Sequence, residues 1–244
     1  MAANQLAQSV RRQLGIGRVL PLGGPADGSW ITEEAAAGAL RASAGVPPGV
    51  RLGALRLSVA DPEGAPESVV PAPPSALPPG PLRIEAEFTA VPDQPLPAVA
   101  DQVRTALLEA SVQQLGLVVA AVDLRVSGLL EAGAAPPAPV PPGPPATPVA
   151  GPTAGPAAGA PEPLEGAAGI AVVMREVTGV ARPAPVLGGQ SRAVRLTAGH
   201  ALVQLAVAAG YRALDVAHAV RQAVAAAPPR PSTVAVLVTA VDRE

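Results

Sequence analysis

The chain has 244 residues and a formal net charge of −2, so bulk electrostatics favour neither a nucleic-acid partner nor an anionic membrane. It contains no cysteine, which excludes disulfides, thiol catalysis and thiolate metal sites. The hydrophobic fraction of 49% is mostly Ala, Val and Leu, with one Trp, one Tyr and one Phe, so we expect cores built from small side chains.

Residues 1–27 form an N-terminal segment in which a short amphipathic helix is predicted. Apolar residues from Ala3 to Leu14 share one helical stripe, while Arg11 and Arg12 lie off it. Such a helix would bring Arg11 and Arg12 to a partner or to a membrane surface; the alternatives are packing on the first module and fraying. The same arginines interrupt the apolar core that a signal peptide needs, which predicts a cytoplasmic protein. No apolar run reaches transmembrane length.

A first module is predicted over residues 28–131. It starts with the helix ITEEAAAGALRASAG (31–45), in which Thr32 is the expected N-cap and the two glutamates after it suit the helix dipole. The rest follows from apolar periodicity: strands at 52–60 and 82–90 joined by a Pro-rich loop at 65–81, a helix at 96–116 and a strand at 117–129.

Residues 132–168 are predicted to be a disordered linker rich in Pro, Ala and Gly. They contain too few large apolar side chains to offset the entropy of ordering. Their simplest role is a spacer, and the alternative is a proline-rich ligand for another domain.

The second module is predicted over residues 169–244 and repeats the same order in shorter form. The valine run of STVAVLVTAVD indicates a strand that is central in its sheet or buried on both faces. The predicted elements are a helical opening segment at 169–181, strands at 192–198 and 200–209, a helix at 211–227 and the final strand at 232–242.

A repeated pattern supports the duplication. LPAVADQVRTAL (96–107) aligns without a gap with ALDVAHAVRQAV (213–224), which places Arg104 opposite Arg221. The two arginines are candidates for partner binding or for an ionic contact between the modules; the alternative is that their stems cover the edge of the core. The sequence therefore predicts an α+β fold of two repeated α-β-β-α-β modules.

The pattern resembles the alkaline shock protein family of Gram-positive bacteria, also called the envelope stress response family. The resemblance is carried by VADQVRTAL with VDLRV, and by DVAHAVRQAV with VAVLVTAV. It implies a non-enzymatic scaffold that associates with protein partners, including a membrane-anchored one, at the cytoplasmic side of the envelope. The chain departs from the family in its two modules, its long Pro-rich linker and its lack of lysine, a bias typical of high-GC, for example actinobacterial, coding sequences.

No catalytic, cofactor or metal motif is found, so neither an enzyme nor a cofactor protein is expected. His200 and His218 lack ligand partners at suitable spacing, and Asp215 with His218 is predicted to be a surface pair. The alternative function is single-stranded nucleic-acid binding, against which the scarcity of aromatic residues argues. Because each module is small, we expect the two to pack as a pseudo-symmetric pair through equivalent edges or helices, or the chain to form a homo-oligomer.

Overall fold

The computed structural model describes residues 18–130, 164–186 and 192–243, and it has the predicted α+β fold. We call residues 18–130 the first half and residues 164–243 the second half. The strands are β1 (Val19–Pro21), β2 (Ser29–Thr32), β3 (Val50–Val59), β4 (Leu82–Ala90), β5 (Val119–Leu129), β6 (Val180–Pro183), β7 (Val194–Thr197), β8 (His200–Val207) and β9 (Thr233–Val241). The helices are α1 (Glu33–Ser43), α2 (Leu96–Ala110), which continues as a π turn (Ser111–Leu115), α3 (Leu164–Glu176) and α4 (Ala213–Ala226).

The strands form two sheets. The small sheet has three strands in the order β3-β4-β5, with β3 antiparallel and β5 parallel to β4. The large sheet has six strands: β1, β2, β9 and β8 in that order, with β6 and β7 end to end along the other edge of β8. In the second half β6 and β7 both pair antiparallel with β8, and β9 pairs parallel with β8. Both halves therefore connect their helices and strands in the same order and directions.

Local sequence signals account for most of these elements. Thr32 caps α1 as predicted, since its Oγ1 accepts a hydrogen bond from the Ala35 amide at 3.3 Å. The apolar side of β4 is buried and its polar side faces outward, as the alternation predicts. The middle of β9 is buried and lies between β2 and β8, which confirms the central position predicted from its valines.

The helical interpretation of residues 169–181 is wrong at its C-terminal end. Helix α3 stops at Glu176, and Gly179, with φ of 91°, turns the chain into β6. A Cβ at Gly179 would lie 2.6 Å from Val216 Cγ2, so only glycine fits this turn. Gly49, with φ of 82°, occupies the same place before β3. The helical periodicity of GIAVVMREV led to the prediction of a helix through residue 181, where a short strand, β6, follows the helix.

The module boundaries do not separate two bodies. Strand β2 of the first half pairs in parallel with β9 of the second half, with Trp30 opposite Leu237. The predicted N-terminal segment 1–27 contributes β1, and α3 begins at Leu164, inside the predicted linker 132–168. The remainder of that linker up to residue 163 lies outside the described residues.

One large apolar core joins the halves. Helix α1 packs on β9 as well as on β3, and buried residues of both sheets and all four helices belong to one cluster. The opposite face of the large sheet is covered by the Pro-rich loop between β3 and β4, whose Val70 packs against Trp30 and Leu202. Among the described residues no strand of the second half pairs with β5; the residues just before α3, which would be the counterpart of β2, lie outside the described residues.

Candidate interaction surface

Arg221 holds the two halves together. From α4 its Nη1 donates hydrogen bonds to the carbonyl oxygens of Ala26, at 2.7 Å, and Asp27, at 3.0 Å. The contact crosses between the halves and reaches residues of the predicted N-terminal segment 1–27. Its partners are backbone carbonyls, so it is a charge-assisted hydrogen bond without a carboxylate.

Arg104 occupies the matching place on α2 but bonds within its own half. Its Nε donates to the Val122 carbonyl oxygen of β5 at 3.4 Å, and its Nη1 pairs with Asp101. The side chain keeps 41% of its surface exposed. The repeated arginines therefore share a position in the sequence pattern and differ in what they contact. Arg11, Arg12 and the predicted helix around them lie outside the described residues.

The two histidines occupy unrelated sites. The expected pair of His218 with Asp215 does not form; Asp215 contacts Arg212 at 3.1 Å, and His218 Nε2 lies 3.2 Å from Asp27 Oδ1 across the contact between the halves. His200 Nδ1 lies 2.8 Å from Thr233 Oγ1, and burial lowers the pKa of His200. In the part of the chain that the structure describes, no three His, Asp or Glu side chains gather as metal ligands.

Glu33 is also buried, although its sequence context indicated only the start of a helix. Its Oε1 accepts a hydrogen bond from the Leu57 amide at 3.1 Å, and its Oε2 accepts one from the Arg18 amide at 3.2 Å. Both partners are backbone groups, so Glu33 ties α1 to β3 and to the chain before β1. This role is structural.

A cavity of about 530 Å³ lies where the halves meet, between α1, the π turn and the end of β9. Tyr211, Asp242 and Arg243 contribute its largest polar groups. Asp242 already accepts hydrogen bonds of 2.8 and 2.6 Å from Arg182 Nη1, an interaction that raises the pKa of Arg182. That carboxylate is therefore committed to joining β6 to the end of β9.

The clearest open surface is the β5 edge of the small sheet; at the opposite edge, β3, the Leu57 amide and carbonyl already bond to the side chains of Glu33 and Arg18. Strand β5 pairs only with β4 among residues 18–130, 164–186 and 192–243. An unpaired edge presents backbone donors and acceptors that bind an added strand. Val126 and Leu129, at 41% and 60% exposed, lie along this edge with the charged Asp123 and Arg125. The alternation of β5 was predicted from the sequence, and its position at the edge of the sheet was not.

Comparisons of the chain with protein-family models, with curated protein sequences and with solved structures gave no match. Among the described residues, no helix is long and apolar enough to cross a bilayer.

Proposed function

We propose that this chain is a non-catalytic interaction protein that binds a protein partner through the β5 edge. The observation that carries the proposal is the contrast between the last strands of the two halves. Strand β9 has both edges paired, one of them by β2 of the same chain, whereas β5 has one edge paired among the described residues. Strand addition to an open edge is a common mode of protein recognition because backbone hydrogen bonds supply much of the affinity.

The resemblance to the alkaline shock family supports a proposal for where in the cell the protein acts. That resemblance rests on VADQVRTAL with VDLRV and on DVAHAVRQAV with VAVLVTAV. We therefore place the protein at the cytoplasmic side of the cell envelope, as a scaffold in envelope stress. The described hydrogen bonds of Arg104 and Arg221 are internal and support the scaffold.

A photo-cross-linking experiment tests the proposal. A photoreactive residue replaces Val126 on the β5 edge of the full chain, and the matched control carries it at Val172, which is 52% exposed on α3. We expect protein adducts at position 126 in cells and far fewer at position 172. The mass of each adduct identifies the partner, whether another protein or a second copy.

Two results would overturn the proposal. One is equal cross-linking at both positions, which would make the β5 edge no different from any exposed valine. The other is saturable binding of mixed single-stranded RNA near micromolar affinity at low salt, which would favour nucleic-acid binding instead. Both the cross-linking and the RNA-binding measurements use the intact chain.

A further inference from the structure

The regular part of the β5 edge is short and bounded. Strand β5 keeps one register with β4 from Ala121, opposite Arg83, to Val126, opposite Phe88. The register shifts on either side of this stretch. Such shifts disrupt the ladder locally and bend the strand, so a strand that adds to this edge pairs most regularly with residues 121–126.

The two faces of this stretch differ in chemistry. Val122, Leu124 and Val126 continue the rows of Ile84, Ala86 and Phe88 on the side that faces the helices. Asp123 and Arg125 lie on the opposite, open side, next to Glu85 and Glu87 of β4. An added strand must therefore place apolar residues on one face and, on the other face, charges opposite in sign to those of Asp123 and Arg125.

We propose that the partner on this edge is a second copy of the chain, paired antiparallel through β5 about a two-fold axis at Leu124. Asp123 of one copy then lies opposite Arg125 of the other, twice, and Val122 lies opposite Val126, twice. The two small sheets become one continuous sheet. The inference deepens the proposed function and rests on its use of the β5 edge.

Symmetry selects the antiparallel direction. A two-fold axis perpendicular to the sheet joins identical edges antiparallel and keeps the helix-facing sides together. An axis along the strands joins them parallel but turns one sheet over, so that Leu124 of one copy would continue the charged face of the other. Only the first arrangement closes a dimer with matched faces.

Charge selects the register. Opposite residues in antiparallel strands share a face, so the axis passes through a residue and moves in steps of one residue. An axis at Asp123 brings two aspartates face to face, and an axis at Arg125 brings two arginines face to face. Like charges directly opposite each other destabilise a sheet, whereas an axis at Leu124 leaves only opposite charges in contact.

The register also relieves a like-charge contact within one copy. Asp123 lies opposite Glu85 on β4, and the nearest cation is Arg83, whose Nη1 is 3.2 Å from Asp123 Oδ2. Pairing places Arg125 of the second copy on the other side of Asp123. It also covers Val126, which is 41% exposed, with Val122 of the second copy.

Charge exchange on the purified full chain tests the inference. The chain has a mass of 24.0 kDa, and light scattering on a sizing column should give twice that value for the unchanged protein. Asp123→Arg or Arg125→Asp alone creates two like-charge contacts, so each should weaken dimerisation by at least about tenfold. The double variant restores opposite charges and should restore the dimer.

Mixing provides a second and stricter readout. Asp123→Arg chains carry two cationic positions on the edge, and Arg125→Asp chains carry two acidic ones. An equimolar mixture of the two weakened variants should therefore form a heterodimer. Glu109→Arg, an equal change of charge on the exposed face of α2, is the control that should leave the dimer unchanged. Melting curves of each variant establish that it is folded.

The outcomes separate this inference from the proposed function. A monomeric unchanged protein, an Asp123→Arg chain that dimerises normally, or a double variant that stays monomeric would overturn self-pairing. If the photoreactive residue at position 126 then captures a different protein, the proposed function stands without the self-pairing. If it captures no protein, both proposals are wrong.

Discussion

Strands β5 and β9 end the same connectivity in the two halves and have opposite surroundings. Strand β9 lies between β8 and β2, with residues from Val234 to Val238 buried, whereas β5 has a single neighbour among the described residues and an exposed, charged outer side. Within the described part of the chain, the difference comes from a strand of four residues, β2, that adds to β9. The addition of a single strand converts an edge strand into a central one. We therefore expect equivalent substitutions in β5 and β9 to have different effects on stability.

The largest effect is expected from a charge in the centre of β9. Val236 is fully buried, and Val236→Asp should cost several kcal/mol because the carboxylate loses its hydration without gaining a partner. The matched Val126→Asp on β5 should cost less than about 1 kcal/mol when it is measured at a concentration too low for pairing through β5, because the side chain then reaches water. Urea denaturation of both variants measures the difference. Equal losses would mean that the β5 edge is covered in solution.

Removing the anchor of β2 should expose the β9 edge. Trp30 is 2% exposed and packs with Val70 and Leu237 on the outer face of the large sheet. Trp30→Ala should cost about 3–5 kcal/mol through the cavity it leaves. Hydrogen exchange should accelerate in β2 and β9 before it does in β4.

The matched experiment for Trp30 is Phe88→Ala, which removes the buried aromatic side chain of the small sheet. In that variant exchange should accelerate first in β3–β5. If both variants accelerate exchange equally throughout the chain, the halves form one cooperative unit and the contrast between the sheets does not extend to local stability.

The repeated arginines provide a smaller contrast. Arg221→Met removes two hydrogen bonds that cross between the halves and should cost about 1–3 kcal/mol, since two carbonyls lose a charged donor. Arg104→Met removes one long hydrogen bond and an exposed ion pair, so it should cost less than about 1 kcal/mol. Thermal unfolding of both variants measures which substitution lowers the stability more, and a larger loss of stability for Arg104→Met would contradict the prediction.

The smallest effect concerns pH. Burial lowers the pKa of His200 in the folded chain below its ordinary value of 6.5, so the unfolded chain binds the proton more readily. The stabilising contribution is full above 6.5 and declines as the pH falls through the lowered pKa. Leu82 begins β4 as His200 begins β8, which makes His200→Leu the matched variant. Between pH 7 and 5 the unchanged chain should lose more stability than His200→Leu; parallel curves would contradict this prediction.

Much of the local structure could be predicted from the sequence. The alternation of β4, the stripe of α2 and the Thr32 cap are local patterns, and each is where the residues indicate. The sequence also shows the contrast between the valine run of β9 and the polar alternation of β5. This contrast is the one sequence signal that could have distinguished a central strand from an edge strand.

The sequence by itself determined where most helices and strands form, because periodicity and capping act over a few residues. Only the tertiary structure decided that β2 joins β9, that the Pro-rich loop covers Trp30, and that Arg221 and Arg104 have different partners. Strand β2 is buried at all four positions and has no alternation to read. Its pairing is set by a strand some 200 residues away, and contacts at such separation leave no local trace in the chain.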